Sequence, residues 1–335
     1  MEFDYTKDPE FPRENIYPIE WDFTDSRAWK LYSRAKSEQW DEENFDWNRL
    51  REVASGLDRK ERIAMSYWWA LLSNFDNATA VFAFALVKGQ ELHVKKSYEA
   101  LIATVTCDEC RHNLLCGRSI DCMMPGFPTK FKPTNDLEER ARRNVLWTWY
   151  NGSRYWNAYK QAYEKYTFDV LMTSFMMGEA AATTVFTEMG RHARLEPFPS
   201  AFRSVARDET RHYAFTHLLM HEGLNEMSEE RKKLVTKQIR AGFVFLSLIT
   251  YRPPKDFWRL PPDFERTHFE LESIARDAGL GVPLMEEKEL AWRNAVMRVG
   301  ATVSRYGVRM PDMPELGISG EDVGEIDESD VMPVF

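Results

Sequence analysis

Cys107-Asp108-Glu109-Cys110-Arg111-His112 and Arg207-Asp208-Glu209-Thr210-Arg211-His212 both contain Asp-Glu-x-Arg-His, repeated a hundred residues apart. Residues three apart on a helix project from one face about a turn apart, so each copy offers a carboxylate and an imidazole together. Those are metal donors, and two such pairs on facing helices suit a shared metal site in a helical bundle. A third Glu-x-x-His, Glu265 to His268, has Phe264 in place of the leading Asp and Thr267 in place of the Arg. It is expected to be a chance surface pair.

A two-metal bundle site needs one more carboxylate from each remaining helix. Glu179 stands in an apolar, small-residue run, Phe-Met-Met-Gly-Glu-Ala-Ala-Ala, where a buried acid needs a partner. Asp76 is the only acid between Glu61 and Glu91 and is the expected fourth carboxylate. Glu91 is the runner-up, placed just beyond Gly89 at the expected start of the next helix. A metal-bound imidazole usually donates its second N–H to a carboxylate, a role that suits Asp108 and Asp208 across the helix pair, with Arg111 and Arg211 neutralising them.

The elements that must carry these residues read as helices. Leu57 to Gly89 is expected to form one, with a cap at Asp58 and a stop at Gly89. A second runs from Gln90 to about Gly117, and others cover 137–163, 166–193, 200–223, 229–251 and about 286–307. Alternating Val/Ile/Thr strand patterns are nearly absent, so the expected class is all-α. Residues 1–58 read as an arm packing on the bundle, with Pro9, Pro12 and Pro18 early in it, and 59–251 as the metal-binding bundle. Residues 252–335 read as an extension with an acidic tail.

A formal charge of −9 argues against a nucleic-acid partner. No apolar run reaches the ~18 residues needed to span a bilayer, and the opening residues are acidic and polar, so a soluble, cytoplasmic protein is expected. All four cysteines fall between Cys107 and Cys122. Cys107 and Cys110 would lie on a different helix edge from Cys116, which makes a four-thiolate cage hard to build; free thiols are expected. A Gly-x-Gly-x-x-Gly fingerprint and a ferredoxin-type cysteine set are both absent, so electrons must come from a partner or the substrate.

The paired motifs, with Glu179 and Asp76, resemble the ferritin-like carboxylate-bridged di-iron superfamily, which includes ribonucleotide reductase small subunits, acyl carrier protein desaturases and bacterial multicomponent monooxygenase hydroxylases. The resemblance covers roughly residues 40–215. It implies a ribonucleotide reductase-like four-helix bundle with additional helices, two irons or a manganese/iron pair, and O2 activation. Trp40, 36 residues before Asp76, is spaced as in the reductase subunits, whose Trp connects to an Asp like Asp208. Cys116 stands where a reductase carries its radical tyrosine, and Thr183 matches the active-site threonine of the monooxygenases. Apart from the resemblance, Cys116 reads as a small buried hydrophobe and Thr183 as a helix hydroxyl.

The resemblance implies a monooxygenase first, by hydroxylation or other oxygen insertion, with desaturation or N-oxygenation close behind. The substrate is a small organic molecule, hydrophobic or aromatic if Phe82, Phe175, Met176, Met177 and Phe186 line its site. An electron-donating reductase or ferredoxin is the expected partner, and a homodimer the assembly to test. The alternatives are a reductase-like radical subunit, a ligand-binding oxidase, and a non-enzymatic iron-binding or silent subunit.

Overall fold

The computed structural model describes residues 23–320 apart from 76–78, 92–93, 166–167, 177 and 226. The described residues are predominantly helical, with no strand beyond one isolated bridge between Met313 and Ile318. No described helix is long and apolar enough to cross a membrane.

Two helices form within the stretch expected as an arm. α1 (Ser26–Ser37) and α2 (Trp47–Gly56) start behind Asp25 and Asp46, whose carboxylates accept the Ala28 and Arg49 backbone N–H groups. Both pack against α5 (Lys96–Met123), and α1 also touches α9 (Phe198–Gly223). Prolines 9, 12 and 18 and the acidic tail beyond Gly320 lie outside the described residues.

Within the stretch expected as one helix up to Gly89, the described residues are helical over α3 (Arg59–Phe75) and α4 (Thr79–Glu91), with 76–78 outside the description. Asp76 lies outside the described residues. α4 runs through Gly89, so Glu91 ends this helix rather than starting the next. Gly89 is needed there for closeness, since a Cβ would come within 2.9 Å of Val94.

α5 extends six residues past Gly117, where the sequence suggested a stop. Burial of Ser119, Ile120 and Met123 along the same face outweighs the ~1 kcal/mol helix cost of one glycine. α6 (Asp136–Lys165) packs along α3. The next expected helix is interrupted by a turn at Gly178, which separates α7 (Phe168–Met176) from α8 (Glu179–His192), with Glu179 the first residue of α8. α9 has Pro199 in its first turn, where a missing N–H costs no hydrogen bond.

α10 (Glu229–Thr250) and α11 (Lys255–Trp258) lead to α12 (Phe264–Asp277), which the sequence reading did not anticipate, and to α13 (Met285–Ser304), which it did. α8 lies along α9, α3 along α5, and α5 meets α9. α12 covers α3 and α6, and α13 covers α8. Trp69 stacks on Phe202 with ring centroids 5.1 Å apart, in a core that also holds Phe186 and Cys116. Phe82 belongs to a different core cluster, with Phe168 and Phe215, so Phe82 and Phe186 do not share one apolar patch. The side chains of Phe175, Met176 and Met177 lie outside the description.

One sequence expectation is overturned here. His268 is not a surface residue: it has 0% exposure and sits on the face of α12 that buries Phe264, Leu271 and Ala275. Its ring partners are Tyr67 Oη at 2.8 Å and Glu272 at 3.2 Å, while Glu265, one residue past Phe264, is only partly buried on another face.

Candidate metal centre

α5 buries Asp108, Glu109, Arg111 and His112, and α9 buries Asp208, Glu209, Arg211 and His212. Such a density of charge in a core is stable only if it is paired or binds an ion. The outer pairing is crossed between the two helices. His112 Nε2 donates to Asp208 Oδ2 at 3.1 Å, and His212 Nε2 donates to Asp108 Oδ2 at 3.2 Å. Arg111 donates to Asp108 Oδ1 and Arg211 to Asp208 Oδ1. Arg211 also reaches Asp108 Oδ2 at 3.3 Å, so one guanidinium touches both aspartates.

The segment joining α1 to α2 closes the outside of this network. Trp40 Nε1 donates to Asp208 Oδ2 at 2.7 Å, Arg211 donates to Glu38 at 2.8 Å, and Arg111 donates to Gln39 at 3.0 Å. Sequence reasoning found Trp40 but missed Glu38 and Gln39. No motif marks them, and their adjacency to Trp40 was the only available signal.

The inner face is different in kind. With Nε2 donating outward, a neutral imidazole turns its Nδ1 lone pair inward. His212 Nδ1 lies 3.3 Å from Glu109, 3.3 Å from Glu209 and 3.8 Å from Glu179, and His112 Nδ1 lies 3.5 Å from Glu209. Glu179 joins from the start of α8. One donor atom from each of Glu109, Glu179, Glu209 and His212 falls within 4.8 Å of the others. Both Glu209 oxygens, Glu179 Oε2 and His212 Nδ1 are buried without a hydrogen-bond partner.

The electrostatics follow from this geometry. Burial, and then the neighbouring Glu179 and Glu109 charges, push the Glu209 carboxyl well above its usual range, and burial raises Glu109 too. Burial would raise Asp208 as well, but the His112 contact, Arg211 and Trp40 hold it low. Burial would lower His212, yet Asp108 and the three glutamates raise it well above an ordinary histidine. A cation placed among these inward atoms would relieve the repulsion and satisfy the orphaned acceptors. The carboxylate and imidazole donor set suits a divalent iron or manganese.

Of the residues singled out from sequence, the structure thus brings together Glu109, His112, Glu179, Glu209 and His212, with Asp108, Arg111, Asp208, Arg211 and Trp40 around them. Cys116 is buried one turn beyond His112. Thr183, one turn beyond Glu179, has a buried Oγ1 with no hydrogen-bond partner. No disulfide joins the cysteines among the described residues; Cys107 and Cys110 are exposed.

No protein-family model matches the chain, and no curated protein matches its sequence. Solved structures do. A ribonucleotide reductase R2 subunit from Clostridium botulinum superposes with a TM-score of 0.55 at 14% identity, over 89% of this chain and 86% of that one. A mutant R2-like ligand-binding oxidase with an aerobically reconstituted Mn/Fe cofactor gives a TM-score of 0.52 at 15% identity, over 86% and 98%. An R2-like ligand-binding oxidase with the same cofactor after a long soak gives 0.51 at 14%, over 86% and 94%. The chain has the ferritin-like, R2-like helical fold.

Proposed function

We propose that this protein is a non-haem oxidoreductase that holds two irons, or a manganese/iron pair, activates O2 and oxidises a small organic molecule. The observation that carries the reading is the buried group of Glu109, Glu179, Glu209 and His212, in which both Glu209 oxygens, Glu179 Oε2 and His212 Nδ1 have no hydrogen-bond partner among the described residues. The Mn/Fe cofactor reconstituted in R2-like ligand-binding oxidases of the same fold supports the choice of metals. Asp76, outside the described residues, is the proposed sixth ligand beside these four and His112. Metals bound there supply the redox chemistry that reduces O2.

The chain's own residues do the rest. Asp108 and Asp208 fix the imidazole tautomers, Arg111 and Arg211 neutralise the aspartates, and burial keeps bulk water from the ligands. The buried, unpartnered Thr183 hydroxyl can hold a water or substrate oxygen by hydrogen bonding. Within this reading we favour oxygen insertion, hence a monooxygenase, with N-oxygenation or desaturation next, because Cys116 stands where the resemblance places a radical tyrosine. A reductase or ferredoxin would deliver the electrons.

Metal analysis with optical spectra before and after reduction and O2 addition tests the site; the expected content is about two metals per chain. A tyrosyl electron paramagnetic resonance signal scaling with bound iron would replace the monooxygenase reading with the radical subunit. The likeness to ligand-binding oxidases favours a second reading, oxidation without oxygen transfer. Isotopically labelled O2 separates the two: label in the product marks insertion, and label only in water marks an oxidase.

A further inference from the structure

A second concavity opens on the side of α9 turned away from the metal ligands. At 100° per residue, Ala214, His217 and His221 point roughly opposite to His212. Facing them are one side of α1 and the end of α13, and together they enclose a cavity of about 610 Å³. That volume lies in the range of small-ligand sites, ~300–1,000 Å³. None of its lining residues is a proposed metal ligand.

The cavity is divided by chemistry. Leu31, Ala214, Leu218 and Tyr306 give it an apolar floor. Arg27, Lys30 and Arg305 stand exposed at its rim, and no acidic side chain lines it among the described residues. Arg34, which also lines the cavity, is paired with Glu38 at 2.8 Å. Arg27 and Lys30 form no ion pair among the described residues and stand exposed at the rim.

A third feature comes from inside the cavity. His217 is largely buried, and its Nε2 has no hydrogen-bond partner. Burial, with Arg305 and Arg298 nearby, holds this imidazole down to about 4, so it is neutral at pH 7. A neutral buried ring beside a cationic rim repels no anion and still offers a polar atom.

We propose that this cavity binds a small amphiphilic organic anion. The apolar body lies over Leu31, Ala214, Leu218 and Tyr306, and a carboxylate or phosphate head meets Arg27, Lys30 and Arg305. The occupant is a free monomer rather than a lipid in a bilayer, because the apolar surface is recessed between three helices where a membrane cannot follow it.

Calorimetric titration of the purified full-length protein with decanoate and with decyl phosphate, each below its micelle concentration, tests this. Saturable binding at one site is expected, weakened about tenfold when R27S and K30S are combined, and weakened also in L218E, which sets a like charge on the floor. Histidine-labelled NMR gives a readout independent of any variant: the His217 resonances should shift on binding while those of His268 stay in place. The proposal is overturned if neither amphiphile binds saturably or if the double variant binds as tightly as the parent. Equal affinity for decanol would remove the anion from it, and equal affinity for inorganic phosphate would remove the apolar body. Capture by phosphatidylglycerol vesicles without monomer binding would overturn it in favour of a membrane surface.

Discussion

Two buried clusters among the described residues combine carboxylate with imidazole, and they are wired differently. Between α3, α12 and α13, Glu272 forms an ion pair with Lys288 and lies 3.2 Å from His268, whose other nitrogen contacts Tyr67 Oη at 2.8 Å. Cation and anion are matched within the protein, and Lys288 also sits 4.8 Å from the centre of the Trp68 ring. Between α5, α8 and α9, three glutamates and two histidines meet with every arginine on the outer side. Burial of carboxylate and imidazole is common to both, so burial does not mark a site. The uncompensated inward oxygens do.

The comparison can be broken most directly by removing one acid from each cluster. Glu272→Gln strands the buried Lys288 ammonium and should destabilise the fold by ~3–5 kcal/mol in denaturant unfolding, with metal content unchanged. Glu209→Gln should do the reverse in metal-free protein, raising stability by ~1–3 kcal/mol as repulsion is relieved, while elemental analysis finds at least one metal lost. If both variants shifted stability in the same direction, the proposed difference in wiring would be wrong.

Acid sharpens the contrast on a smaller scale. Burial would raise Glu272, but Lys288 and His268 hold it down to about 2, against an ordinary 4.5. A depressed carboxyl contributes stability that is complete above the unfolded value and is lost as pH falls toward the folded one. Stability should therefore fall between about pH 4.5 and 2, by up to ~1.4 kcal/mol per unit, and this component should vanish in Glu272→Gln. The smallest effect belongs to Glu265→Ala, expected within ~0.5 kcal/mol of the parent and with full metal content. Loss of metal there would reopen the third Glu-x-x-His pair as a ligand.

That third pair shows what sequence could and could not deliver. Its weakness as a metal motif was legible from Phe264 and Thr267, but its burial was not. Pro261 and Pro262 drew attention to a connector, while the stripe of Phe264, His268, Leu271 and Ala275 that forms α12 is short and broken by charge. The helices themselves were readable because apolar residues recur at helical spacing, whereas the interruption at Gly178 between α7 and α8 falls within an apolar, small-residue run. At the candidate centre, the duplicated motif disclosed the residues on α5 and α9, and the isolation of Glu179 in an apolar run disclosed the one on α8. Glu38 was invisible, since its contact with Arg211 spans 173 residues of sequence and depends on how α1 folds back over α9.

Arg211 has one further consequence. Because its guanidinium holds Asp208 and also touches Asp108, the backing of His112 and the backing of His212 share a single support. Loading at one imidazole would adjust the other through that shared group, so occupancy should be cooperative, with a Hill coefficient above one when free metal is titrated. Arg211→Lys, which keeps the charge but loses the fork, should return the curve toward two independent sites.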